Sequence, residues 1–533
     1  MSYERAQHAL VAGIAVFAGA WAVAPRSTSD PLLDAAFATI TQAELEADLQ
    51  QLACPQLEGR DSPSAGLSRA AVYIEQRFTA AGIKPFDDAK YERPFQRDLP
   101  MAVPEECALD LTAGTAELRK FEYATDFVPL TGCAGNATGE IVFLGFGIDS
   151  KTEHFDEVEG KDLIGKIALI VEGEPRNAKR FEGPELTADA TLWTKLETLR
   201  DHKLAGVLVA RRAPELSPAD AKRKGGPEPA KLAFRHTWAT WNGQDMTAVP
   251  GGLPKNLLPA LEVSMACANA LLGEDVEALA TKIDRTVAPQ KRAPKGRKVH
   301  LASSTKIGRV DIDNLVGKIP GADEKLKDEW LVIGAHYDHI GVDDRGRIGF
   351  GADDNASGTA AMLEVAQALA TAKPRRSVLV CSFAAEEDGL LGSGALCDNL
   401  PVPRANIVAM INMDMVGRGK TDEVAVLGIV QNPELEKVLE RARKLNRTGI
   451  KTIVVRQGEE LFQRSDHYSF HKIGVPVLFF FEGLPISDNA DYHTWRDSPD
   501  KLDYDKMTRT ARLVLDSAWL LANDDERPPK PRE

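Results

Sequence analysis

From about residue 310 onward, uninterrupted apolar runs alternate with longer stretches whose apolar residues recur at helical spacing. The runs at 330–335, 377–383, 407–413, 424–430 and 475–481 predict strands, and the stretches at 357–372, 433–445, 466–472 and 506–523 predict helices. A strand without polar alternation is covered on both faces. Strand–helix alternation then predicts an α/β fold: a mostly parallel mixed sheet with helices on both faces. Upstream, 43–52 and 68–81 show helical spacing, the second ending near Gly82, with extended chain to about 95. Between them Leu57-Glu-Gly-Arg60 reads as a turn. The texture changes between 125 and 300. Short strand-like runs at 139–144, 165–171, 205–210 and 258–263, with helices near 192–202 and before Leu272, mark a small β-rich unit. The Pro/Lys/Arg-rich stretch 289–298 closes it as a solvated connector. The expected division is therefore an N-terminal part of the main domain at 41–124, an insert at 125–300 and the main domain at 305–525.

At 533 residues the chain is too long for one simple core. Its 43% hydrophobic and 27% charged residues, with no low-complexity stretch, are those of a globular protein. A net charge of −14 argues against nucleic acid or an anionic membrane surface as a partner. Arg5 precedes an apolar stretch at 9–24 that ends in small residues, Ala20-Trp-Ala22-Val-Ala24. This is the pattern of an export leader, which points to a periplasmic or secreted protein. Pro25 disfavours cleavage after Ala24 and leaves Ala22, or an uncleaved N-terminal anchor as the one route to a membrane. The six cysteines (Cys54, Cys107, Cys133, Cys267, Cys381 and Cys397) form no CxxC pair, and Cys381, inside an apolar run, reads as a buried thiol.

Five clusters carry the chemistry: His336-Tyr-Asp338, Asp353-Asp354-Asn-Ala-Ser-Gly358, Glu386-Glu387, Asp414 and His493. Together they supply the imidazoles and carboxylates that two Zn²⁺ ions and an activated water require. His336, Glu386 and Asp414 each follow an apolar run, where ligands collect in open α/β sheets. Asp338, two residues beyond His336, lies on its side of an extended chain and can accept the other imidazole N–H. Either Asp353 or Asp354 could bridge two metals, the other serving as a helix cap. Glu386 and Glu387, if extended, point to opposite sides, so one can bind metal while the other moves a proton. Asp414 beside an apolar run needs a metal or charged partner. His339 and His471 read as structural or surface histidines, and His467 as a group that could hydrogen-bond near the site. No G-x-S-x-G elbow, H-E-x-x-H helix or Walker loop competes with this reading.

With the clusters in this order, the sequence resembles the M28 family of zinc peptidases. The stretches Gly334-Ala-His-Tyr-Asp-His-Ile-Gly341, Gly351-Ala-Asp-Asp-Asn-Ala-Ser-Gly358, Ala384-Ala-Glu-Glu387 and Gly389-Leu-Leu-Gly-Ser393 carry the likeness. It implies a zinc-peptidase-like sheet domain, with 125–300 similar to the protease-associated insert of many members. It also implies two zinc ions per chain and a peptide or protein substrate. On that resemblance Asp354 bridges the metals, His336 and Asp414 complete one, and Glu387 and His493 complete the other. Glu386 is the general base and acid acting on the shared water, Asp338 orients His336, and Tyr492 helps polarise the scissile carbonyl. The expected activity is that of an exported aminopeptidase. A carboxypeptidase using Arg418, Arg464 or Arg496, a single-zinc glutaminyl cyclase and a non-catalytic binding homologue are the alternatives.

Overall fold

The computed structural model describes residues 31–531 except 88, 114–115, 160–161, 178–179, 182–186, 213–256, 343–346, 446 and 482–488. The apolar stretch at 9–24, read as a leader or anchor, lies outside the described residues. Among the described residues no helix is long and apolar enough to cross a membrane.

The continuous apolar runs form the middle of a mixed sheet. Ser377–Phe383, Trp330–His336, Ile407–Met413 and Val477–Phe481 lie side by side in that order, all parallel. Thr305–Ile319 flanks them antiparallel on one side and Glu423–Leu427 on the other, with Thr452–Val454 beyond it. Successive side chains feed opposite faces. Leu331, Ile333, Val378 and Val380 enter one core, while Val332, Leu379, Cys381 and Phe383 enter the other. The first face is covered by Gln42–Leu52, Gly358–Ala372 and Tyr504–Asn523, and the second by Leu391–Asp398 and His467–Lys472. Gly358–Ala372 is buried around nearly its whole circumference, which its run of Ala, Met, Leu and Val tolerates. Leu435–Lys444 instead buries only Leu435, Val438, Leu439 and Ala442, the stripe its spacing predicts. The strand expected to reach residue 430 stops at Leu427. There Gly428, at φ +99°, turns the chain, and a Cβ would stand 2.4 Å from the Val477 carbonyl oxygen.

A second sheet runs in the order Ala116–Lys120, Ala108–Ala113, Arg297–Ser303, Gly135–Phe143, Ile167–Val171, Gly206–Ala210, Ala260–Val263, Phe127–Pro129. It has apolar cores of its own. Its strands begin at residue 108, before the change of texture at 125. Arg297–Ser303 is one of its inner strands, so the basic stretch read as a connector ends inside the sheet. Lys298 and His300 there alternate with Val299 and Leu301, which are fully buried. The chain passes between the two sheets through a ribbon of Glu92–Ala102 with Thr305–Ile319, paired from Ala102↔Thr305 to Glu92↔Leu315. All six cysteines are free thiols.

Candidate metal centre

The parallel strands deliver their carboxyl ends to one place. His336 is the last residue of Trp330–His336, Asp414 directly follows Ile407–Met413, and Glu386 and Glu387 follow Ser377–Phe383 after two residues. Asp354 lies just ahead of Gly358–Ala372, and His493 sits in a turn beyond Val477–Phe481 at φ +53°.

His336 is fully buried, with Nε2 3.3 Å from Asp414 Oδ1, 3.4 Å from Asp354 Oδ1 and 3.8 Å from Glu386 Oε2. The second Asp354 oxygen stands 3.1 Å from His493 Nε2, and Glu387 Oε2 stands 2.9 Å from the same nitrogen. Asp354 thus lies between a His336–Asp414 half and a Glu387–His493 half. Asp338 Oδ1 is 3.6 Å from His336 Nδ1. Its carboxylate also accepts the backbone N–H of Glu386 (3.2 Å) and of Glu387 (3.4 Å), so it holds the turn that carries both glutamates. Tyr492 stacks on His493 with ring centroids 3.9 Å apart, and its hydroxyl accepts a hydrogen bond from Arg464 at 3.1 Å.

Several local expectations change. The glutamate pair does not continue an extended strand, which ends at Phe383. Ala385 takes φ +52°, and both glutamates ride on a turn that aims them into the same site. Asp353 does not cap the following helix. Its Oδ1 accepts the Gly417 N–H at 2.9 Å, while the Asn355 side chain accepts the Gly358 N–H at 2.9 Å. His339, read as structural or surface, is fully buried in the site with Nδ1 2.7 Å from Glu387 Oε1. Its only signal was its place in His336-Tyr-Asp-His339. His467 packs between Phe479 and Phe462 instead of reaching the site, and burial lowers its pKa to about 3. Two supporting groups gave no signal at all. Asp497 accepts the backbone N–H of Asp353 and of Asp354 at 3.0 Å, and Ser465 donates to Asp414 Oδ2 at 2.7 Å. Arg418 is held by Asp491 (3.0 Å) and Asp497 (3.3 Å), and Arg496 by Asp491 (2.9 Å).

The charges around this point do not balance by themselves. Burial opposes charge on His336, yet Glu386 and Asp414 hold its pKa well above the usual imidazole value. Burial likewise works against a charged His493, but Glu387 and Asp354 raise it to about 10. Asp354 is held well below the usual carboxylate range despite burial, by the imidazoles of His336 and His493 beside it. Buried carboxylates at this density call for a cation. His493 Nε2 lies within 3.1 Å of two carboxylate oxygens without aligning a hydrogen bond to either. Donors that crowd one point without pairing fit a metal ion. One oxygen or nitrogen from each of His336, Glu386 and Asp414, and from each of His336, Asp354 and Glu387, lies within 4.8 Å of the others. Mixed imidazole and carboxylate donors suit zinc.

Residues 314–518 match Peptidase family M28. A "Probable leucine aminopeptidase" of Arthroderma otae is 32% identical over 234 residues, which are 40% of this chain and 64% of the relative. A "Probable zinc metalloprotease" of Leptosphaeria maculans is 28% identical over 261 residues, 42% of this chain and 59% of the relative. The chain therefore spans less than two thirds of the length of these curated relatives. The solved "Aminopeptidase from Aneurinibacillus sp. strain AM-1" is 22% identical, with 93% of this chain and 97% of that one covered and a TM-score of 0.46. Every residue of the centre from His336 to His493 falls inside the segment that matches Peptidase family M28.

Proposed function

We propose that this protein is a two-zinc aminopeptidase that removes residues from the free N-termini of peptides. The observation that carries the reading is the placement of Asp354 between His336–Asp414 and Glu387–His493, with Glu386 alongside. His336, Asp414 and Asp354 would hold one zinc, and Glu387, His493 and Asp354 the other. Zinc bound there supplies Lewis-acid polarisation of a peptide carbonyl and acidification of a water. The chain's own groups do the rest. Glu386 Oε2, which faces His336, takes a proton from the attacking water and returns it to the departing amine. Asp338 orients His336 and keeps the glutamate turn in place. Arg464 donates to the Tyr492 oxygen, which leaves the phenol proton to turn toward an oxyanion.

The relatives named leucine aminopeptidase support an exopeptidase acting at the amino end. A carboxypeptidase needs a cation to grip a free carboxylate, and Arg418 and Arg496 already pair with carboxylates of this chain. The N-terminal pattern supports export of the enzyme. The second sheet is proposed to be a protease-associated unit.

Aminoacyl-p-nitroanilides with N-acetylated controls, assayed before and after chelation and zinc add-back, test the function. The expected result is chelator-sensitive cleavage of free-amine substrates alone. Zinc uptake without such cleavage, but with release of C-terminal residues from peptides, would move the assignment to a carboxypeptidase. A single bound zinc would favour a cyclase, and no zinc a binding protein.

A further inference from the structure

Arg60 and Arg376 are the bulkiest fully buried side chains among the described residues. Arg60 belongs to the segment Pro55–Arg60, far from the ligands in sequence. Its four hydrogen bonds all go to backbone carbonyls. Nε donates to Tyr337 O at 2.8 Å, Nη1 to Phe350 O at 2.8 Å and to Leu52 O, and Nη2 to Gly351 O at 3.0 Å. Tyr337 lies between His336 and Asp338, and Gly351 lies three residues before Asp354. One guanidinium therefore ties the loop after His336 to the loop before Asp354.

The backbone of the same segment repeats the link. The His339 N–H donates to Arg60 O and the Gly341 N–H to Gly59 O, each at 3.1 Å. A Cβ on Gly59 would stand 2.3 Å from Gly341 O and 2.5 Å from Gly349 O, so the segment is wedged between the two loops. Glu58, Gly59 and Arg60 all take left-handed φ values of 48°, 72° and 52°. Consecutive residues hold that conformation only where their surroundings over-determine it. Arginine alone suits the position, because its planar fork presents five N–H donors in fixed directions while lysine offers three on a flexible stem.

We propose that Arg60 is a positioning residue of the metal centre, clamping the 337–341 loop to the 349–351 loop and so setting the separation of His336 from Asp354. It touches no ligand side chain and acts through the two backbone segments that present them. This inference rests on the two-metal reading of the site.

The test compares Arg60→Met, Arg60→Lys and Arg376→Met with the wild type. Arg376 is equally buried, but it donates to Leu521 O and Asp524 O and pairs with Glu329, away from the centre. Zinc affinity is read by competition against a chromophoric chelator, and thermal unfolding is followed on the metal-free proteins. Loss of support behind metal ligands costs about 10- to 100-fold in affinity. Arg60→Met should lose zinc affinity by that factor, with residual turnover showing a fall in kcat larger than any change in KM. Arg60→Lys should recover part of the loss, and Arg376→Met should lower Tm while binding zinc as the wild type does. Unchanged zinc affinity in Arg60→Met, or an equal loss in Arg376→Met, overturns the proposal. If Arg60→Met does not fold, Arg60→Lys decides, and wild-type affinity in it overturns the proposal. A wild-type protein that takes up no zinc sinks the site reading and the clamp together, a result distinct from normal zinc uptake with an indifferent Arg60→Met.

Discussion

Glu386 and Glu387 are neighbours on one turn, and their surroundings push them apart. Burial raises Glu386 well above the usual carboxyl value; Glu387 and Asp414 add to that while His336 opposes it. Burial and Asp354 work against a charged Glu387, but His493 and His339 hold it down to about 2. A carboxyl held up can carry a proton, and one held down stays anionic for binding. This is the split that separates acid–base from ligand roles in paired carboxylates. Positioned acid–base groups contribute about 100- to 10,000-fold in rate. Glu386→Gln should therefore lower kcat by at least about 100-fold, while equilibrium dialysis finds the wild-type content of zinc. Near-full activity in that variant would refute the role given to Glu386.

At the scale of elements, a buried charge cluster joins the helices on the first face. Arg77, on Ala65–Ala80, stands 2.7 Å from Asp48 of Gln42–Leu52 and 2.9 Å from Glu364 of Gly358–Ala372. One guanidinium serves two buried carboxyls. Burial, with help from Glu44 and Asp48, raises the Glu364 carboxyl to about 8. Its folded pKa is above its unfolded value, so the folded state binds the proton more tightly. The stability from this group is whole below about pH 4.3 and is lost as pH rises through about 8. Thermal unfolding of the zinc-loaded protein between about pH 5 and 8 should show a shallower decline of Tm for Glu364→Gln than for the wild type. Equal slopes would exclude Glu364 as the titrating group.

For the whole molecule, the centre is a tie between segments scattered from His336 to His493. Zinc binding only to the folded form should stabilise it by about 4 kcal/mol at 1,000 times the dissociation constant. The second sheet has separate cores and none of the proposed ligands. Calorimetry should resolve two transitions, and chelation should lower only one of them, with two equivalents of zinc restoring it. A shift of both transitions would mean that the sheets unfold as one unit.

The strands and the residues at their ends were legible in the chain itself. Uninterrupted apolar runs such as 377–383 have one economical fate, a strand covered on both faces, and the polar residue that ends each run is left at the sheet's carboxyl edge. That logic singled out His336, Glu386, Glu387 and Asp414 as candidates, alongside the Asp353-Asp354 pair and His493, and the motif likeness chose Asp354 from the pair and added Tyr492. It failed where a residue's role depends on a distant segment. His339 looked like any loop histidine until Glu387 was brought to 2.7 Å from it. Asp497 lies 144 residues from Asp353, whose N–H it accepts, and Arg60 lies 277 residues from Tyr337, whose carbonyl it holds. Local periodicity is set by the chain's own geometry, so the sequence alone determined the elements and the sheet edge that bears the chemistry. The partners of a buried polar group are chosen by packing between elements, and that packing fixed which side chains hold the ligand loops in place.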